Sequence, residues 1–123
     1  MIQEIIKNFP RQLEYQSKIE NQASFKKHGK FIVVGMGGSN LASGLLKVWS
    51  PDLNIIIHRD FGLPAMAESE LQNHLIIISS YSGQTEETID AFHEALKMGL
   101  SVIIVATDGE LLELAKENGV PYI

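Results

Sequence analysis

Four uninterrupted apolar runs recur along the chain without alternating with polar residues. They span residues 31–34, 55–57, 75–78 and 102–105. Continuous runs of this kind are typical of strands that are buried on both faces, as in a parallel sheet covered by helices. We therefore predict a parallel sheet, with the start of one more strand at residues 120–123.

Between these runs, apolar residues recur at helical spacing. The helical segments are residues 41–49, 85–98 and 110–118. Gly99 and Gly119 stand where a left-handed residue ends a helix, and Pro51 and Pro121 follow soon after helix ends. The alternation predicts an α/β fold with three α-β-α layers, a doubly wound five-stranded parallel sheet of flavodoxin-like order 2-1-3-4-5.

Two segments are less regular. Residues 1–30 form an amphipathic leader, and Pro10, which suits a first helical turn, predicts a short helix followed by a second one. We expect the leader to pack on the main domain, residues 31–123, or else on a partner subunit. A short helix is predicted within residues 65–71, and Thr107 to Glu110 fits a capping box that opens the last helix.

Composition narrows the possible functions. The length of 123 residues and the 45% hydrophobic content fit one domain. A net charge of −5 argues against a nucleic-acid or membrane partner, since both favour a basic surface. The chain has no cysteine, which excludes thiol chemistry and fits a cytoplasmic location. No apolar run approaches the roughly 18 residues of a membrane span.

Two loops carry the candidate chemistry. The first, Gly35-Met36-Gly37-Gly38-Ser39-Asn40, leads from a strand into a helix, and its glycines allow a ligand to approach the backbone. The second, residues 79–88, is rich in hydroxyl groups and also precedes a helix. Hydroxyls and the free N–H groups of a helix start bind phosphate without a cation. Each loop alone also fits a tight turn, with Ser39 or Asn40, or Ser82 or Thr85, as the helix cap.

Topology favours the phosphate interpretation. In strand order 2-1-3-4-5 the first and third strands are neighbours, and ligands bind at the switch point beside their carboxyl ends. A dinucleotide site is the rival, since the glycines and Asp60 are spaced suitably. However, Asn40 replaces the last glycine of that motif, and the motif leaves Ser80 and Ser82 unexplained.

The two loops together resemble a known family. Gly37-Gly38-Ser39 and Ser80-Tyr81-Ser82-Gly83-Gln84-Thr85-Glu86-Glu87-Thr88 are similar to the sugar isomerase (SIS) domain, most of all to the first SIS domain of bifunctional phosphoglucose/phosphomannose isomerases. The resemblance covers nearly the whole chain from Phe31 onward. It implies that a hexose phosphate is bound without a cofactor and that the domain pairs with a second SIS domain or forms a homodimer.

The resemblance also assigns individual residues. It implies that the phosphate is bound by Gly37, Gly38, Ser39, Ser80, Ser82 and Thr85. Glu87 would turn aside and brace the loop. The base glutamate and ring-opening histidine of the resembling isomerases lie in the later part of a longer chain. We therefore expect glucose 6-phosphate/mannose 6-phosphate isomerisation only in a longer protein, and assign no catalytic residue here. A stand-alone sugar-phosphate sensor is the alternative.

The histidines offer no better site. His58, Arg59 and Asp60 follow the second strand and are interpreted as polar loop groups, while His74 and His93 are interpreted as surface or satisfied groups. None of these residues has the spacing of a metal-ligand pair. We therefore assign no metal.

Overall fold

The computed structural model describes residues 1–24 and 27–123. The α-helices are α1 (Ile2–Asn8), α2 (Leu41–Trp49), α3 (Glu68–Gln72), α4 (Glu86–Lys97) and α5 (Glu110–Glu117). The strands are β1 (Lys30–Val34), β2 (Asn54–His58), β3 (Leu75–Ser79) and β4 (Val102–Val105). Short 3-10 turns occupy Phe9–Glu14, Gln22–Ser24 and Gly37–Asn40. None of the helices in the described ranges is long and apolar enough to cross a membrane.

The strands form one parallel sheet in the order β2-β1-β3-β4, flanked by helices. This confirms the α/β class and places β1 beside β3, as the doubly wound order requires. The predicted number of strands is wrong, because the sheet that the described residues form has four. Residues 120–123 lie beside β4 but pair with it through a single bridge, Ile104 to Tyr122. Pro121 has no N–H group to donate, so a continuous ladder does not form.

The core lies on the side of the sheet covered by α4 and α5. Alternate residues of β1, β3 and β4 are fully buried there, since side chains along a strand point to opposite faces. The central contacts are made by Ile32, Ile76, Ile78 and Ile104 against Phe92, Ala91 and Leu111.

The leader is exposed rather than packed on this core. Its helix α1 and the following 3-10 turn contain no buried residue. Ile5 and Phe9 keep 63% and 64% of their surface exposed. The leader meets the domain further along, where Glu20 bridges Tyr122 and Asn21 donates to the Val120 carbonyl. The predicted break near Pro10 is confirmed, because α1 ends at Asn8.

Most helix boundaries agree with the sequence pattern. Gly99 and Gly119 adopt φ of 65° and 63° just after α4 and α5. Helix α3 begins at Glu68, slightly later than predicted. The predicted capping box is wrong, because α5 is preceded by Gly109, which has no side-chain cap, and the Thr107 hydroxyl donates to the Tyr81 carbonyl instead.

Candidate functional site

The two loops leave the sheet from neighbouring strands at the same edge. Val34 is in register with Ile78, so the chain emerges at Gly35 and at Ser80 side by side. Each start is fixed by the adjacent strand: the Gly35 N–H donates to the His58 carbonyl at 3.2 Å, and the Ser80 N–H donates to Val105 at 2.9 Å. The predicted convergence of the two loops at the switch point is therefore confirmed.

The first loop is a 3-10 turn that runs directly into α2. Gly37 begins the turn with a φ of 57°, a conformation that favours glycine. Asn40 is buried, and its side-chain amide donates to the Gly35 carbonyl rather than capping the helix. Ser43 in turn donates to the Asn40 carbonyl at 2.8 Å. Asn40 thus fixes the base of the loop, and the capping interpretation does not apply to it.

The second loop, residues 80–85, which we call the serine loop, is organised by its own hydroxyls. The buried Ser80 hydroxyl accepts from the Gly83 N–H at 3.1 Å and lies 3.0 Å from the Thr85 hydroxyl. The exposed Ser82 hydroxyl accepts from the Gln84 N–H at 3.2 Å. An accepting hydroxyl still carries its own proton, which it can donate to an anion. Thr85 precedes α4 without a side-chain cap bond, so the capping interpretation does not explain its hydroxyl.

An open cavity of about 600 Å³ lies between the two loops and the end of β4. Its walls come from three neighbouring strand ends and from the last residue. The lining residues are Gly38, Ser39, Ala42, Ser79, Tyr81, Val105, Ala106, Thr107 and Ile123. Parallel strands place such a crevice at their carboxyl ends, where α/β folds bind ligands.

The predicted site residues take different positions around this cavity. Gly38 and Ser39 line it, whereas Gly37 faces a neighbouring groove that includes Arg59. Ser80 is buried at the start of the serine loop, and neither Ser82 nor Thr85 is part of the cavity wall. The assignment of these residues to a phosphate therefore stays a prediction.

Sequence reasoning misses two parts of the cavity wall, Tyr81 and the segment after β4. Tyr81 is 80% exposed at the cavity. The sequence pattern gives Thr107 only a local role as a helix cap, although the strand order sets β4 beside β3 and so brings the ends of both strands together. Thr107 could therefore have been placed at the site from the predicted strand order, because it follows β4.

The side chains of the cavity wall carry no charge. Among the lining residues, which all lie in the described part of the chain, there is no Lys, Arg, Asp, Glu or His. An anion here would be held by hydroxyls and backbone N–H groups, as at other helix starts. Glu87 is half-buried in the first turn of α4, and within the described residues it has no hydrogen bond or ion pair that would brace the loop.

The histidines have local structural explanations. The His58 ring nitrogen lies 3.3 Å from the Phe61 carbonyl, and Asp60 accepts from the Phe61 N–H at 2.7 Å. The buried His74 ring lies 2.6 Å from the Glu70 carbonyl. Within residues 1–24 and 27–123, no three histidine or acidic side chains lie close enough together to hold a metal ion.

Several curated proteins are similar to this chain over most of its length. A bifunctional phosphoglucose/phosphomannose isomerase of Caldicellulosiruptor bescii is 35% identical over 98% of the chain and 37% of its own length. A protein of the same name from Aquifex aeolicus is 28% identical over 96% of the chain and 36% of its own length. A D-glucosamine-6-phosphate 4-epimerase of Sulfolobus acidocaldarius is 28% identical over 76% of the chain and 29% of its own length.

The chain spans about a third of the length of these curated relatives. No family model matches it. The match to the C. bescii isomerase nevertheless includes both loops, since it covers 98% of the chain. The chain is thus a homologue of part of the bifunctional phosphoglucose/phosphomannose isomerases, which confirms the resemblance that its loops indicated.

Proposed function

We propose that this chain is an SIS domain that binds the phosphate end of a hexose phosphate, as part of a sugar-phosphate isomerase. The observation that carries the proposal is the convergence of two helix-starting loops at the switch point, on one cavity lined by uncharged side chains. The names of the relatives support it, since all of them contain a phosphorylated sugar. The proposed phosphate ligands are Gly37, Gly38, Ser39, Ser80, Ser82 and Thr85.

The hydrogen-bond donors near the cavity suit a compact phosphate. Because the wall contains no cation, affinity must come from many short hydrogen bonds rather than from one charge pair. The Ser82 hydroxyl and the Ser80–Thr85 hydroxyl pair lie along one loop, and the 3-10 turn at Gly37 adds backbone N–H groups from the other side. Such a set of donors suits the several oxygens of a phosphate group.

The same wall argues that the chain does not isomerise sugars alone. Aldose–ketose isomerisation needs a base that moves a proton between two carbons. Tyr81 is the sole titratable side chain of the cavity wall, all of which is described by the structure, and a phenol is a poor base at neutral pH. We propose that the base belongs to another segment of a longer protein. The partner of this domain would be a second SIS domain in that protein or a second subunit.

A dinucleotide site is less well supported. Its motif needs a third glycine where α2 packs against β1, and the buried Asn40 occupies that position. Asp60, the candidate ribose ligand, has a local structural role, because its Oδ1 accepts from the Phe61 N–H at 2.7 Å. These contacts leave the sugar phosphate as the better ligand class.

The test is ligand binding by the purified chain. Fructose 6-phosphate and glucose 6-phosphate should each raise the melting temperature, and a ligand at about 100 times its Kd stabilises by roughly 2.7 kcal/mol. Unphosphorylated fructose and NADP, at the same concentrations, serve as controls and should produce no shift. Stabilisation by NADP alone would overturn the proposal in favour of a dinucleotide site. A coupled assay on the same sample should detect no conversion of fructose 6-phosphate to glucose 6-phosphate.

A further inference from the structure

The segment that follows β4, residues 106–109, runs alongside the serine loop. We call this segment the β4 loop. The Thr107 N–H of the β4 loop donates to the Tyr81 carbonyl at 3.3 Å, and the Leu111 N–H, in the first turn of α5, donates to the Gly83 carbonyl at 2.9 Å. The serine loop is therefore supported from the β4 side.

The serine loop and the β4 loop also approach each other closely, through one glycine in each. A Cβ atom on Gly83 would lie 1.7 Å from the Asp108 carbonyl oxygen, and one on Gly109 would lie 2.3 Å from the Ser82 carbonyl oxygen. Contacts this close leave no space between the backbones. The position of one loop thus determines the position of the other.

The Thr107 side chain adds a hydrogen bond between the two loops, and unlike the backbone contacts it can be removed by substitution. Its hydroxyl donates to the Tyr81 carbonyl, the same oxygen that accepts from the Thr107 N–H. That carbonyl belongs to the peptide group between Tyr81 and Ser82. The orientation of this peptide group sets where the Ser82 hydroxyl points. Thr107 itself also lines the cavity.

We propose that Thr107 is a positioning residue, which orients the serine loop for phosphate through the Tyr81 carbonyl. The inference rests on the proposed function, because it assigns a role within the same site. In this role Thr107 acts through the peptide group that precedes Ser82, to whose carbonyl its hydroxyl donates. The β4 loop thereby holds the serine loop in place.

The experiment compares three variants of the full chain. Thr107→Val keeps the branched shape and removes the hydroxyl, whereas Thr107→Ser keeps the hydroxyl. Asn118→Ala is the matched control. Asn118 is exposed and follows the far end of α5, and its side chain also donates to a backbone carbonyl, that of Leu114, at 2.8 Å. Titration calorimetry gives the Kd for fructose 6-phosphate, and amide NMR spectra of the ligand-free chain report the Gly83 environment.

Because Thr107→Val loses one neutral hydrogen bond, its Kd for fructose 6-phosphate should be about five- to tenfold higher than that of the parent chain. The Kd of Thr107→Ser should stay within about twofold of the parent value. The Gly83 amide resonance should shift in ligand-free Thr107→Val and not in Asn118→Ala. If the parent binds and Thr107→Val binds equally well, the positioning role is overturned and the proposed function stands. If the parent binds no sugar phosphate, the proposed function is overturned and this inference with it.

Discussion

Gly83 and Gly109 meet backbone to backbone, each with a φ that L side chains rarely adopt, 68° and 87° respectively. The contact joins the loop that follows β3 to the residue that precedes α5. It allows the serine loop and the β4 loop to pack without intervening side chains, so the edge of the cavity depends on two residues that have no side chain.

Gly83→Ala should therefore be strongly destabilising. The added methyl group would meet the Asp108 carbonyl oxygen at 1.7 Å, and the left-handed φ adds strain. Strain of this kind costs on the order of 1–3 kcal/mol before the steric conflict is counted. Urea unfolding measures the loss in the free energy of unfolding.

Gly44→Ala is the control for that substitution. Gly44 lies inside α2, and a Cβ atom added there would have no neighbouring atom within 4 Å, so alanine fits. It should stabilise the chain by about 0.5–1 kcal/mol, since alanine is the better helix former. Equal effects of the two substitutions would contradict the close contact at Gly83.

Ser80→Ala and Ser82→Ala should separate stability from binding. Ser80 is buried and accepts from the Gly83 N–H, so its removal leaves a buried donor unsatisfied at a cost of about 1–3 kcal/mol. Ser82 is exposed, and its removal should change stability by less than about 0.5 kcal/mol. Unfolding curves give these values for both variants.

Under the proposed function, Ser82→Ala should also weaken the binding of fructose 6-phosphate about fivefold, because one hydroxyl donor is lost. Calorimetric titration of this variant beside the parent chain measures the change. An unchanged Kd would remove Ser82 from the proposed phosphate ligands without affecting the prediction for the stability of Ser80→Ala.

Asn40→Asp should make stability depend on pH. The Asn40 amide donates to the Gly35 carbonyl, and a buried carboxylate there would face an acceptor without a donor. The folded chain therefore disfavours the charged form, which raises the pKa of the introduced carboxyl above its unfolded value of about 3.9. Its destabilisation should be small below pH 4 and grow as pH rises through the folded-state pKa. Urea unfolding from pH 4 to 8 tests this, with Asn118→Asp, at an exposed site, as the control.

Deleting residues 1–15 should leave the free energy of unfolding within about 0.5 kcal/mol of the parent, because the helix and turn in this segment contain no buried residue. Deleting residues 1–21 should cost more, since Glu20 and Asn21 bond to Tyr122 and Val120. Urea unfolding of both shortened chains measures the difference. A large loss on the first deletion would show that the leader stabilises the domain before Glu20.

The sheet could be predicted because its determinants are local. Apolar runs such as 75–78 are continuous in the sequence, and the observed strands coincide with them to within a residue at most ends. The convergence of Gly35 and Ser80 then followed from the strand order alone. Contacts between distant residues could not be predicted in this way. Thr107 and Glu110 fit a local helix cap, but the Thr107 hydroxyl donates instead to the carbonyl of Tyr81, which is 26 residues away in the sequence.

Burial explains the other differences. A run of hydroxyl residues does not reveal which of them face outward once the strand has ended, so Ser80 and Ser82 could not be distinguished before the structure placed one inside. The spacing of Ile2, Ile5 and Phe9 indicates an apolar helix face but not what covers it. Their exposure depends on the arrangement of the whole chain.

The bridge between Glu20 and Tyr122 has a consequence for how the molecules avoid aggregation. Residues 120–123 lie along the β4 side of the sheet, and Glu20 covers them in turn, carrying an ion pair with Lys18 at 3.6 Å. Charged residues and covering segments at a sheet edge discourage strand pairing between molecules. On the β2 side, no strand from residues 1–24 or 27–123 adds to the sheet, so we expect any strand-to-strand aggregation to begin at Asn54–His58.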